Sequence, residues 1–240
     1  MILDASALSF SELNKAVRRS GGTCRIRGCL GQRFLGAGLD AGEVTVEGVP
    51  GNALGAYLNG ATIRVAGNAQ DAVGDTMNGG TIAVDGRVGD AAGYAMRGGA
   101  IYVRGDAGYR AGVHMKAYGE KRPVLVIGGR AGSFLGEYQA GGLIAVLGLD
   151  GEPGRPIVGN FPCTGMHGGE VFLRSDCRDV VFPAQVTARP AAPEDLERLR
   201  PAVEAFCRLF GLESGAVLAG PFTLVTPDSS MPYRQMYVAN

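Results

Sequence analysis

Glycine recurs along this chain with a fixed period. Gly36, Gly55, Gly74, Gly93 and Gly112 stand 19 residues apart without slippage, and Gly48, Gly67, Gly86 and Gly105 repeat the interval. Each member of the second series closes a short β-rich run: EVTVEG, TIRVAG, TIAVDG and AIYVRG. Three later runs, PVLVIGG, LIAVLG and EVFLRS, keep the form with insertions between them, so seven turns of the repeat are visible. A unit of this length cannot bury an apolar face alone, and only stacking of neighbours gives it a core.

Within each run, side chains alternate with period two, as a strand with two unlike faces requires. Val44 with Val46, Ile63 with Val65, Ile82 with Val84 and Ile101 with Val103 take equivalent inward positions. Continuing the alternation assigns Val124 with Val126, Ile144 with Val146, and Val171 with Leu173 to the same columns. The outward positions start polar (Thr45, Glu47, Arg64, Asp85, Arg104) and turn apolar in the later runs (Leu125, Ile127, Ala145, Leu147, Phe172). An outward apolar stripe needs a cover, and the chain's own C-terminal helix is expected to supply most of it.

The glycines mark one architectural block. The chain holds 40 in 240 residues, far above the usual share of about 7%. None precedes Gly21, and only Gly211, Gly215 and Gly220 follow Gly169. There is no strict glycine at every third position, which excludes collagen, and interleaved Ile, Val and Leu exclude a flexible linker. The expected architecture is an all-β solenoid over residues 23–180, a single-stranded parallel β-helix of about seven coils. Residues 1–22 are read as an N-terminal capping helix and residues 181–240 as a C-terminal helix and extended tail. Ser9 with Glu12 forms a capping-box pattern ahead of Phe10, Leu13 and Val17 on one helical face. After Pro193, Leu196, Leu199, Val203, Phe206 and Phe210 share a face, Gly211 supplies a stop, and Pro201 implies a kink or two shorter helices. The prolines and aromatics after Pro221 predict a tail lying extended along a surface.

Charge and motifs narrow the function by exclusion. Lys+Arg is 23 and Asp+Glu is 23, a balance that argues against a nucleic-acid groove or an anionic membrane surface. No basic region followed by an apolar core opens the chain and no run spans a bilayer, so a cytoplasmic location is expected. The cysteines (Cys24, Cys29, Cys163, Cys177, Cys207) are odd in number and scattered, which predicts reduced thiols. Cys24, Cys29 and Cys163 could be imagined around an iron–sulfur site, but no paired CxxC is present. His114 and His167 lie in glycine-rich turns, where a histidine more often bonds a backbone carbonyl than performs chemistry. Asp71, Asp75, Asp85, Asp90 and Asp106 are read as solvated turn residues. GxGxxG spacing has meaning between a strand and a helix, and here no helix follows. Catalytic, cofactor-binding and metal residues are therefore all expected to be none.

The order of these features resembles the GXGXG domain at the C-terminus of the glutamate synthase large subunit, a domain that also forms the C-type subunit of formylmethanofuran dehydrogenases. The likeness is carried by LNKAVRRSGG (13–22), GNALGAYLNGATIRVAGNAQDAVGDTMNGGTIAVDG (51–86), GSFLGEYQAGGLIAVLG (132–148) and TGMHGGEVFLR (164–174), covering roughly residues 9 to 180. The resemblance implies a right-handed β-helix that bears no active-site residues and holds catalytic domains together. The amidotransferase and flavin domains of the large subunit have no room in this chain. It therefore looks like a stand-alone scaffold subunit of a split glutamate synthase. That implies a type II glutamine amidotransferase and an FMN- and iron–sulfur-binding synthase subunit as partners, with those cofactors bound by the partner. The alternative is a component like the C-type subunit of a formylmethanofuran dehydrogenase or formyl-transferring complex. A left-handed β-helix acyltransferase is a third reading, weakened because only one strand per coil is reliably aliphatic and the unit is 19 residues. Open solenoid ends leave self-association open.

Overall fold

The computed structural model describes residues 1–150 and 155–230. The seven repeat runs form strands β3 (Glu43–Val49), β4 (Asn59–Ala66), β5 (Gly79–Val84), β6 (Ala100–Val103), β7 (Val124–Ile127), β8 (Ala140–Val146) and β9 (Gly168–Leu173). β2 (Cys24–Leu30) adds a coil ahead of them, and β1 (Ile2–Asp4) pairs in parallel with β2. From β1 to β9 each strand is the parallel neighbour of the next, so the chain is a β-solenoid of about eight turns. A second side of each inner coil is pinned by single parallel bridges running Ala69, Val88, Ala107, Ala131, Val158.

The inward columns read from the alternation hold through β6 and fail at β7. Ile101 pairs with Leu125 and Val103 with Ile127, so Leu125 and Ile127 enter the solenoid core, whereas Val126 and the half-buried Val124 face outward. The step from Ile101 to Leu125 is 24 residues, one more than the step to Val124 that the alternation assumed. VLVI is apolar on both faces, and a run covered on both sides carries no alternation to betray a one-residue slip.

The cover on the outside is α2 (Pro193–Phe210). Its Leu199, Ala202, Val203, Phe206 and Cys207 pack on Tyr102, Val126, Ala145, Leu147 and Phe172 in a second core, distinct from the one inside the coils. The helix runs unbroken through Pro201. A short helix, α3 (Ser214–Leu218), follows. At the other end α1 (Phe10–Arg19) begins with the Ser9 capping box: the Ser9 N–H donates to Glu12 Oε2 at 2.9 Å, and Ser9 Oγ accepts the Glu12 N–H at 3.3 Å. Leu13 and Val17 close the first coil. Phe10 stays exposed with the Arg33 guanidinium 4.8 Å from its ring centroid, instead of sharing the buried face.

The C-terminal segment does more than lie along a surface. β10 (Val186–Pro190) and β11 (Thr223–Pro227) join the sheet, with β11 inserted antiparallel between β9 and β10. Reversing the strand direction there ends the parallel stack. Residues 231–240, half of the tail expected to lie extended, lie outside the described residues. One carboxylate fastens this cap. Asp195, 2% exposed, accepts from Arg189 of β10 at 2.6 Å, from Arg198 at 2.8 Å and from the Ala192 N–H at 2.7 Å. Arg198 also reaches Glu170 of β9 at 2.6 Å. The Arg189 hydrogen bond, more than any other contact, holds the Asp195 carboxyl well below the usual carboxylate range despite its burial.

Corners are built from alternating left-handed residues. In successive coils Ala53, Gly55 and Tyr57, then Ala72, Gly74 and Thr76, then Ala91, Gly93 and Ala95 all have positive φ. The outer two of each trio donate their N–H to the following coil, and the central glycine donates to the preceding one. That central position has no space for a side chain: a Cβ on Gly55 would stand 2.6 Å from Ile82 Cδ1 of the next coil. Asx side chains add a second ladder. Asp71 Oδ1 accepts the Asp90 N–H at 2.9 Å, Asp90 Oδ1 the Tyr109 N–H at 2.8 Å, and Asp106 Oδ1 the Arg130 N–H at 2.8 Å. These acids are therefore structural acceptors between coils, where the sequence suggested ordinary solvated residues.

Two stability tests follow from this construction. Gly38 has φ 68° with nothing within 4 Å of a built Cβ, so Gly38→Ala should cost about 1 kcal/mol through backbone strain alone. Gly55→Ala adds the clash with buried Ile82 and should cost about 1–3 kcal/mol more; equal urea midpoints for the two variants would refute the stacking account. Asp195→Asn should destabilise by about 1–3 kcal/mol at neutral pH. Because the folded-state pKa of Asp195 is depressed, its contribution is complete above the unfolded value of about 3.9 and is lost as pH falls through and below it. The stability gap between wild type and Asp195→Asn should therefore be flat from pH 7 to about 5 and shrink below about 4, as read by urea unfolding across pH.

Candidate functional site: an aromatic corner on the last coils

The same left-handed corner carries Phe34 and Tyr57 in the first coils, small residues in the middle ones, and bulky residues again toward the C-terminal end. Where the middle coils place Ala53, Ala72 and Ala91, the following ones place Arg110, Phe134 and Phe161, with φ of 58°, 63° and 58°. On the other side of the central position, Thr76 and Ala95 give way to His114 and Tyr138, with φ of 56° and 54°. A bulky side chain at positive φ is uncommon and costs about 1–3 kcal/mol, so these positions carry strain that glycine would relieve.

Stacking brings the side chains into one surface. His114 lies parallel to Tyr138 with centroids 5.2 Å apart and meets Tyr94 edge-on at 5.9 Å. Phe134 and Phe161 are 5.4 Å apart, and the Arg110 guanidinium sits 4.8 Å from the Phe134 centroid. Arg110 also approaches Glu137 at 3.5 Å, so its charge is countered locally. Tyr94, Tyr109 and Phe161 are 40%, 54% and 61% exposed. Tyr, Phe and Arg presented on a rigid frame are the residue types that dominate protein–protein contacts. The corner thus presents aromatic rings, an imidazole and a guanidinium on one side of the stack.

The histidines do not meet. His114 belongs to this patch, whereas His167 follows the Cys163 corner and lies 3.0 Å from the Gly165 carbonyl through Nδ1. Cys24 and Cys29 sit in β2 and Cys163 in the last coil, at opposite ends of the stack. All five cysteines are buried. Burial pushes the Cys29 thiol up to about 11 and Cys163 to about 12, so both are protonated at neutral pH. Among the described residues, no three His, Cys, Asp or Glu side chains are grouped to hold a metal ion, and no helix is long and apolar enough to cross a membrane.

Sequence reading weighed the histidines singly and passed over Tyr94, Arg110, Phe134, Tyr138 and Phe161. The signal was available: His114 and Tyr138 each follow their corner glycine by two residues, and Arg110 and Phe134 precede it by two. It becomes visible only once the longer later coils are aligned on that corner.

Comparison with known proteins agrees with this architecture. An uncharacterized protein of Methanocaldococcus jannaschii is 40% identical over 250 aligned positions, covering 99% of this chain and 96% of the relative. Among solved structures, a chain of the formyltransferase/hydrolase complex from Methylorubrum extorquens, crystallised with methylofuran, shares the fold. The likeness has a TM-score of 0.61 at 21% identity, over 92% of this chain and 88% of that one. The GXGXG motif profile matches residues 9–227, nearly the whole solenoid and its cap. The chain belongs to the GXGXG family.

Proposed function

We propose that this protein is a structural subunit of a multi-subunit enzyme complex, a rigid solenoid on which other subunits dock. The observation that carries this reading is the exposed aromatic corner, where Arg110, His114, Phe134, Tyr138 and Phe161, flanking the central position, keep strained, bulky side chains where the middle coils have alanine or threonine. Strain retained on a surface, with no reacting group beside it, is accounted for by a contact made with something else. The partner would cover Tyr94, His114, Tyr138, Phe134 and Phe161, and the reacting groups and cofactors would belong to it.

The fold likeness to a chain of a formyltransferase/hydrolase complex supports a formyl-transferring assembly, in which this chain would take the place of the C-type subunit. A second reading rests on the order of sequence segments across residues 9 to 180, which resembles the glutamate synthase domain. There the partners would be a type II glutamine amidotransferase and an FMN/iron–sulfur synthase subunit, joined for glutamine-dependent amination of 2-oxoglutarate.

Purification of the tagged protein from its native host, with mass spectrometry and a visible spectrum of the eluate, separates these readings. An amidohydrolase-like and a formyltransferase partner are expected for the first. A yellow-brown eluate with an amidotransferase would establish the second. A colourless chain eluting alone would overturn the scaffold role. Phe161→Gly and Tyr138→Gly should each leave the unfolding free energy of the isolated chain, read by urea titration, within about 0.5 kcal/mol of wild type, because relief of left-handed strain offsets lost stacking. The same variants should lose at least tenfold in recovered partner. Full partner recovery would remove the aromatic corner from the interface.

A further inference from the structure

A second surface, away from the aromatic corner, is lined by four arginines set among three aspartates. Just beyond the ends of β4 to β7 the solenoid turns through Gly86, Gly105 and Gly129, and there it opens a groove of about 320 Å³. Asn68, Arg87, Asp106 and Arg130 follow one another along one column, one per coil. Arg104 comes from the neighbouring column, and Asp85, Asp150 and Arg155 also border the space.

The polar groups of this column have divided roles. Asn68 Oδ1 accepts the Arg87 N–H at 2.9 Å and Asp106 Oδ1 accepts the Arg130 N–H at 2.8 Å, so the two Asx side chains are engaged with backbone. Asp85 is turned toward Arg64 at 3.4 Å, and Arg130 donates both Nε, at 2.9 Å, and Nη2 to the Pro156 carbonyl, which leaves Nη1 of its fork for a ligand. The side chains of Arg87 and Arg104 are exposed and make neither hydrogen bond nor ion pair among the described residues. With coils stacked about 4.8 Å apart, Arg87 and Arg130 are about 10 Å apart along the axis, with Arg104 between. Gly86 and Gly105 line the groove beside Arg87 and Arg104, and the one carboxylate standing between Arg87 and Arg130 in the column, Asp106, is turned onto the Arg130 backbone. Guanidinium forks bind phosphate oxygens in pairs, and a series of them favours a ligand with several anionic groups in line.

We propose that this groove binds a linear oligophosphate, free or as the phosphate arm of a nucleotide, laid along the solenoid axis across Arg87, Arg104 and Arg130. The assignment stands apart from the scaffold role, since neither surface includes residues of the other. Isothermal titration of the full-length protein with inorganic tripolyphosphate tests it, with orthophosphate as comparator and ATP as a second carrier of the same chain. Tripolyphosphate should bind at least tenfold more tightly than orthophosphate. The double variant Arg87→Ala/Arg104→Ala should lose at least tenfold with an unchanged melting temperature, since both side chains are exposed; if it melts early, Arg104→Ala alone is read against the same criterion. ATP binding equal to tripolyphosphate assigns recognition to the phosphate chain, and tighter ATP binding assigns it to a nucleotide. No binding by wild type at millimolar tripolyphosphate, equal affinity for orthophosphate, or an unaffected variant would overturn the proposal.

Discussion

The structure depends on one contact repeated at Gly36, Gly55, Gly74 and Gly112: a glycine without a side chain, lying against the δ-methyl of an isoleucine further along the stack. Gly36 faces Ile63 and Gly55 faces Ile82 in this way. The contact locks two things at once. It presses the corner down on the β-column, and it places the corner N–H groups in line with carbonyls above and below. Hydrogen bonds between coils are satisfied at the corners as well as along the strands, so the backbone of this solenoid needs no layer of helices to cover its polar groups.

The ends show what happens when that contact is not needed. In the last coil the central corner position is Cys163, at φ 60° and fully buried. No parallel coil follows, so a small side chain fits where Ile would otherwise intrude. The chain then reverses through β10 and β11 and presents antiparallel pairing to β9. One interior position departs from the pattern. The column Leu58, Met77, Met96, Met115 is continued by Gln139 before returning to Met166, and Gln139 Oε1 is buried with no hydrogen-bond partner. Its Nε2 donates to the Gly141 and Gly142 carbonyls at the β8 irregularity, at 3.4 and 3.3 Å.

The parallel solenoid, its period, the capping box at Ser9 and the helical cover over Phe172 are all legible in the sequence, because each follows from spacing. What is not legible shares a physical cause. The β7 register hides in a run that is apolar on both faces. The left-handed backbone of Arg110, His114, Phe134 and Tyr138 hides because those residue types ordinarily avoid it; they adopt it because the stacked corner above and below dictates the conformation. The structural use of Asp71, Asp90 and Asp106 depends on a neighbour one whole coil away, a distance at which local turn chemistry is silent. The insertion of β11 between β9 and β10 is likewise a pairing of segments about fifty residues apart.

The coil lengths carry a consequence for geometry. The corner series advances by 19 residues up to Gly112, by 24 to Gly136 and by 27 to Cys163, yet strand pairing and corner stacking pass through both longer coils. The strand register and the corner ladder are the same on either side of the longer coils, so added residues leave the axis unaffected. Length along the axis is therefore counted in whole turns, at about 4.8 Å each. Whatever is fastened near the two ends is held at a separation that can change only in steps of one coil, and loops can grow without altering it. The molecule is built as a ruler.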